Sequence, residues 1–308
     1  MRRVWALFLV LGLALAQAGS DTWHEMEHGG LTRQYLLHLP AGYDPGQSYP
    51  LVMAIHGAAS SPERMAEVTG FSKIADRETF LVVYPAGTVP LVNNDHVRPT
   101  SRARVWNTGV CCAVGPNPPD DVGFLKTLLH HLQKELPVDS NRVYVTGFSL
   151  GGMMTHRLGA ELSSELAAIA PLAGTIGGGF SGRVPYFIPE PDSPMPVIIF
   201  HGMEDSLVPY YGGNLAKTRV YIASASDSAR FWARANGCSK ENSEAINEHA
   251  LLTRFTGCLE DSEVLFYSLP GSDHVWPGGK AFRLPPFPYI AASERIWMFF
   301  ESHPKTGE

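Results

Sequence analysis

The stretch Val143-Tyr144-Val145-Thr146-Gly147-Phe148-Ser149-Leu150-Gly151-Gly152-Met153-Met154-Thr155 changes character at its middle. Val143–Thr146 is β-branched and aromatic, which suits a buried strand. From Leu150 and Met153 onward the pattern is helical. Between the two lies Gly147-Phe148-Ser149-Leu150-Gly151, a G-x-S-x-G placed between strand and helix. Taken alone, those five residues also describe a glycine-rich turn with no chemistry. The strand–turn–helix setting makes them a nucleophile elbow, in which a serine hydroxyl is lifted above the sheet. A Cβ at either flanking glycine would clash where the backbone doubles back. The N–H groups that follow open a helix, where developing negative charge is stabilised.

Outward from the elbow, apolar runs and helical patterns alternate. Leu31–Leu39, Leu51–Ile55, Phe80–Tyr84, Ala167–Leu172, Pro196–Phe200, Leu251–Phe255 and Val264–Leu269 read as strands. Several are continuously apolar, as strands buried on both faces are. Arg64–Thr79, a segment capped by Asp120 or Asp121 and ending near Glu135, Leu150–Leu162, Ala223–Asn236 and Ala291–Phe300 read as helices, with Gly70 interrupting the first. Ala86–Pro119 is long and lacks periodicity and reads as an ordered loop, and Gly174–Met195, rich in glycine and proline, reads as a loop over one end of the sheet. The alternation predicts an α/β protein: one domain, with a mainly parallel sheet covered by helices on both faces.

Bulk properties narrow the function. The 308 residues are 44% hydrophobic and 18% charged, with a formal net charge of −6, and the body of the chain has no Lys/Arg run. A nucleic-acid partner is therefore not expected. Arg2 and Arg3, the apolar Val4–Leu15, and Ala16-Gln17-Ala18 have the form of a signal peptide cut before Gly19. Residues 1–18 are read as that signal and 19–308 as the mature domain, exported and without a membrane anchor. An oxidising destination makes disulfides the natural reading of Cys111, Cys112, Cys238 and Cys258. Of the three possible pairings, the one taken joins Cys238 to Cys258 and leaves Cys111 with Cys112 as a vicinal pair. Two C-x-x-C pairs are absent, so zinc is not expected.

A serine nucleophile needs a base, and the base needs a carboxylate to hold its tautomer. In open α/β sheets these groups stand beyond the carboxyl ends of strands. Asp205 follows the strand Val197–Phe200 and is the candidate acid, with Glu204 as its neighbouring competitor. His274 follows Val264–Leu269 and is the candidate base, ahead of His201, His249 and His303. Ser149, Asp205, His274 is the order of the α/β-hydrolase arrangement. For the oxyanion, one N–H donor is expected from Leu150 and a second from Ala58, in the turn His56-Gly57-Ala58-Ala59. Trp106 and Trp276 are either pocket walls or core tryptophans. Asp121 reads as a helix cap.

The set IHGAAS, VYPAGT, WNTGVCC, DDVGFL, RVYVTGFSLGGMM, APLAG, FHGMEDSLVPY and GSDHVWPGG, spanning roughly Arg33 to Gly279, resembles the secreted polyhydroxybutyrate depolymerases and the feruloyl and acetylxylan esterases. The resemblance implies an α/β-hydrolase fold, no cofactor, and the same Ser149, Asp205 and His274. It implies an esterase working through an acyl-enzyme on a small, oligomeric or polymeric ester. Two departures bear on substrate preference. Ala58 stands where family members often carry cysteine, and the acid motif reads Gly202-Met203-Glu204-Asp205. A serine peptidase of similar fold would share the elbow, but it would add a large domain or an acidic amine-binding pair, neither of which is read here. An inactive carbohydrate-binding relative would lack a triad member. Polyester depolymerases that attack solid polymer carry a substrate-binding domain, so the expected substrate is a soluble, oligomeric or feruloyl-type ester.

Overall fold

The structure, a computed structural model, describes residues 18–89, 104–112, 118–180, 182, 184–215, 218–280 and 284–305. The proposed signal segment lies outside these residues, apart from Ala18. The elements in chain order are β1 (Ser20–His28), β2 (Leu31–Leu39), β3 (Tyr49–Ile55), α1 (Pro62–Thr69), α2 (Phe71–Glu78), β4 (Leu81–Pro85), α3 (Asp121–Glu135), β5 (Val138–Phe148), α4 (Leu150–Glu161) and β6 (Ala168–Leu172). They continue with β7 (Gly177–Phe180), β8 (Tyr186–Phe187), β9 (Val197–Gly202), β10 (Gly213–Asn214), β11 (Val220–Ile222), α5 (Ala225–Ala235), β12 (Lys240–Asn247), β13 (Ala250–Thr256), β14 (Val264–Leu269) and α6 (Ala292–Ser302).

Ten strands form one sheet in the order β1-β2-β4-β3-β5-β6-β9-β14-β13-β12. The block from β4 to β14 is parallel, and the two edges are antiparallel hairpins. A smaller sheet, β10-β11-β7-β8, is built from the segment expected to be loop after β6 and from the chain that follows β9. The parallel strands β3, β4, β6, β9 and β14 are buried end to end, and β5 from Val143 to Gly147, because helices cover both faces. On one face Met53, Ile55 and Val145 pack with Leu125 and Leu128 of α3, Met154 and Leu158 of α4, and Trp232 of α5. On the other, Val52, Ala54 and Tyr144 pack with Ile74 of α2 and with Ile296 and Phe300 of α6.

Local chemistry sets the helix ends. The single helix expected over Arg64–Thr79 is two, because Gly70 takes a left-handed conformation at φ 65° that ends α1 and admits α2. Asp120, not Asp121, caps α3 by accepting the Gly123 N–H at 2.9 Å. Asp121 is instead buried in an ion pair with Arg33 at 2.7 Å, correcting its reading as a cap.

Connectivity explains where a site forms. The chain leaves β3, runs through α1 and α2 to β4 on one side, and then returns in β5 on the other. That reversal leaves a crevice at the carboxyl ends of β3 and β5, the topological switch point where open α/β sheets place their ligands. Ile55 is in register with Gly147, so the turns after the two strands adjoin.

Candidate active site

The elbow is compressed as its sequence requires. A Cβ on Gly147 would stand 2.3 Å from the Gly151 carbonyl oxygen, and one on Gly151 would stand 2.1 Å from that of Ile55. Ser149 itself carries φ 59° and ψ −118°, a conformation that costs a non-glycine residue of order 1–3 kcal/mol and persists only where the surroundings hold it. They do so here: the Ser149 N–H donates to Leu172 O at 2.9 Å, and its carbonyl accepts from Met153 N–H at 3.0 Å as α4 begins. Ala59 (φ 53°) and Ala173 (φ 46°), both in turns that border Ser149, are strained in the same sense.

Asp205 and His274 meet at the neighbouring strands. His274 Nδ1 lies 2.7 Å from Asp205 Oδ2, and both side chains are buried. The other carboxylate oxygen accepts the N–H groups of Leu207 at 2.9 Å and Val208 at 2.7 Å. Glu204, the competitor, faces elsewhere and accepts from Gly271 N–H at 2.6 Å. The loops carrying Asp205 and His274 are tied together by Asp273, whose Oδ1 takes the Ser206 N–H and hydroxyl and the His274 N–H at 2.8, 2.8 and 2.7 Å. Those hydrogen bonds outweigh partial burial and hold the Asp273 carboxyl below its ordinary range. The His274 ring packs on Phe148, the residue before the serine, with centroids 4.7 Å apart.

The turn after β3 lies against the elbow: a Cβ on Gly57 would stand 3.2 Å from Ser149 Cβ. Leu150 is the first residue of α4, where helix N–H groups lack partners within the helix. Ala58 is exposed, and its N–H meets no acceptor among the described residues. All five predicted residues therefore stand along one edge of the sheet.

The two tryptophans are interior. Trp106 is fully buried and donates its indole N–H to His56 O at 2.9 Å. Trp276 is buried against Phe71 and Phe148 and donates to Ser293 Oγ at 2.9 Å. Both are buried with their indole N–H groups satisfied, which is what the core reading expects.

Of three buried histidines that sequence reading did not single out as site residues, two hold turns at this edge and the third ties α4 to α5. His56 Nδ1 bonds Gly57 O at 2.7 Å, and His201 Nε2 bonds Val208 O at 2.8 Å in the acid loop. His156 Nδ1 accepts from Trp232 Nε1 at 2.9 Å. Burial pushes His56 down to about 4 and His156 to about 3, and it lowers His201 as well, so all three are neutral at pH 7. For two of them the available signal was the recurring His-Gly, just after β3 (His56-Gly57) and at the end of β9 (His201-Gly202). The loop carrying Trp106 is held by Asp121, whose second oxygen accepts the Asn107 N–H at 2.6 Å. Cys238 is joined to Cys258, and Cys111 to Cys112. Among the described residues no three His, Cys, Asp or Glu side chains form a metal cluster, and no helix is long and apolar enough to cross a membrane.

Residues 119–232 match the family model Phospholipase/Carboxylesterase. Feruloyl esterase B of Piromyces equi is 26% identical over 80% of this chain, which spans 44% of that protein's length. Feruloyl esterase C of Emericella nidulans is 24% identical over 87% of the chain and 83% of its own length. Among solved structures, the CE1 ferulic acid esterase of Anaeromyces mucronatus, in complex with ferulic acid, superposes with a TM-score of 0.56 at 17% identity, covering 92% of this chain and 90% of that one. The fold and these likenesses agree: the chain has the α/β-hydrolase fold and is similar to esterases built on it.

Proposed function

We propose that the protein is a serine carboxylesterase in which Ser149 attacks an ester carbonyl. His274 takes the serine proton through Nε2, because its Nδ1–H is committed to Asp205. Asp205 holds the tautomer and stabilises the imidazolium that forms. The Leu150 and Ala58 N–H groups receive the oxyanion, the alcohol leaves with the proton from His274, and water then releases the acid from the acyl-enzyme. The observation that carries this reading is the buried 2.7 Å contact between His274 and Asp205 at the sheet edge that bears the strained Ser149.

The relatives named feruloyl esterases favour an aromatic acyl group on a soluble or oligomeric alcohol. The signal-like N-terminus and the two disulfides favour an exported protein. Hydrolysis of a chromogenic short-chain ester by wild type and by Ser149→Ala tests the chemistry, and wild-type activity in the variant would overturn it. Methyl ferulate set against hydroxybutyrate oligomers tests the acyl preference. The ferulate is expected to turn over faster.

A further inference from the structure

The turn after β3 is pinned on every side but one. Its His56 carbonyl accepts from Trp106 Nε1 at 2.9 Å, and its Ala59 N–H donates to Arg104 O at 2.9 Å. Its Gly57 carbonyl lies 2.7 Å from His56 Nδ1. The other nitrogen of that ring, Nε2, lies 3.0 Å from the backbone N–H of Gly87, which can only donate. Nε2 is therefore the acceptor, so in the neutral ring the proton sits on Nδ1, aimed at the Gly57 carbonyl. Burial keeps the ring neutral. Gly87 cannot be a larger residue, because a Cβ there would stand 2.4 Å from Val105 O and 3.3 Å from His56 Cε1.

The Gly57 carbonyl and the Ala58 N–H belong to one planar, trans peptide unit, in which they point in opposite directions. We propose that His56 is a positioning residue for the oxyanion site: by holding the Gly57 carbonyl on its own side, it turns the Ala58 N–H toward the Ser149 hydroxyl. Without that bond the peptide is free to rotate, and the rotated form presents a carbonyl oxygen where the oxyanion must form. The histidine makes no contact with substrate and acts only through the peptide. This rests on the esterase reading of Ser149.

Two measurements test it, and the first needs no activity. In the 15N spectrum of labelled wild-type protein, with the His56 signals identified from a His56→Gln sample, Nδ1 is expected to carry the proton and Nε2 to be bare. A proton on Nε2 overturns the proposal. The second is kinetic. His56→Leu, with kcat referred to folded protein, is expected to lose about 10²–10³-fold in kcat, the cost of one missing oxyanion donor, with little change in KM. Its affinity for a boronic acid that forms a tetrahedral adduct should fall in parallel. His56→Asn places an amide N–H where Nδ1–H stood and is expected to recover most of kcat. Wild-type kcat in His56→Leu, or equal loss in both variants, overturns the proposal. If wild type cleaves no ester, or Ser149→Ala cleaves as well as wild type, the esterase reading has failed, and the tautomer measurement still reports on His56.

Discussion

Asp205 divides its two oxygens between His274 and its own loop. Oδ2 meets His274 Nδ1 at 2.7 Å, while Oδ1 takes two backbone N–H groups from Leu207 and Val208. The carboxylate is thus fixed before it fixes the imidazole. Asp205→Asn retains an oxygen for the loop but presents an amide N–H to His274, favouring the tautomer with the proton on Nε2. That tautomer cannot accept from Ser149. The expected loss is about 10⁴-fold in kcat, the size seen when a triad aspartate is so replaced, with KM nearly unchanged. Steady-state kinetics with a chromogenic ester check it. A loss below about tenfold assigns the aspartate a structural role alone.

Trp106 gives a way to separate positioning from substrate contact. Its indole N–H holds the carbonyl at the start of the oxyanion turn, and the ring lies 5.1 Å from that of His56. Trp106→Phe keeps most of the packing and leaves His56 O buried without its donor, a cost of about 1–3 kcal/mol. A loosened turn should lower kcat, by up to about 10²-fold, and leave KM alone. A pocket wall would do the reverse. The kcat and KM of the variant for methyl ferulate decide between them.

The disulfide between Cys238 and Cys258 lies across the base of the β12–β13 hairpin, far along the sheet from Ser149. Closing a loop with a sequence separation of 20 removes unfolded-state freedom worth about 3 kcal/mol in the chain-entropy account. Replacing both cysteines by serine should therefore lower the denaturation midpoint and leave kcat intact. Guanidinium titration and a parallel esterase assay test the two halves. A matching fall in kcat would show that the edge hairpin supports the site.

The sequence disclosed those parts whose signal is local. Leu51–Ile55 is apolar through its length because both faces are covered, and Gly147 and Gly151 flank the serine because no Cβ fits there. The order of Ser149, Asp205 and His274 could be read because each follows a recognisable strand. What escaped was non-local or unpatterned. β1 alternates half-buried with exposed residues but carries charge on its outer face, and it becomes a strand by pairing along its whole length with β2. β12, KENSEAIN, is almost wholly exposed and owes its conformation to β13. Three of the four residues of β7 are glycines, with no side chains to announce a strand. Asp121 looks like Asp120 in sequence, and only the arrival of Arg33 from β2 tells them apart. The three buried histidines are likewise defined by what the fold brings to them. The tautomers of His56 and His156 follow from N–H groups of Gly87 and Trp232 that are distant in sequence.

Those histidines also set the response to acid. His156, pushed by burial from an ordinary 6.5 to about 3, and His56, pushed to about 4, take up protons in the unfolded chain before they do so in the folded one. Their stabilising contribution is therefore complete above about pH 6.5 and is lost as pH falls from there toward the folded values. His38 has the opposite sign: Asp21 and Asp76 outweigh its burial and raise it, so its contribution is present at low pH and lost as pH rises through its folded value. A single pH–stability curve mixes the two. The contribution of His156 emerges on comparison with His156→Asn, whose amide oxygen can stand where Nδ1 stood and accept from Trp232 Nε1 but does not titrate. The stability advantage of wild type over this variant should be flat above about pH 6.5 and shrink below it, approaching a slope of about 1.4 kcal/mol per pH unit. Urea midpoints for the two proteins between pH 8 and pH 4.5 test this, and a difference that does not change with pH would mean that the folded His156 is protonated as readily as the unfolded one.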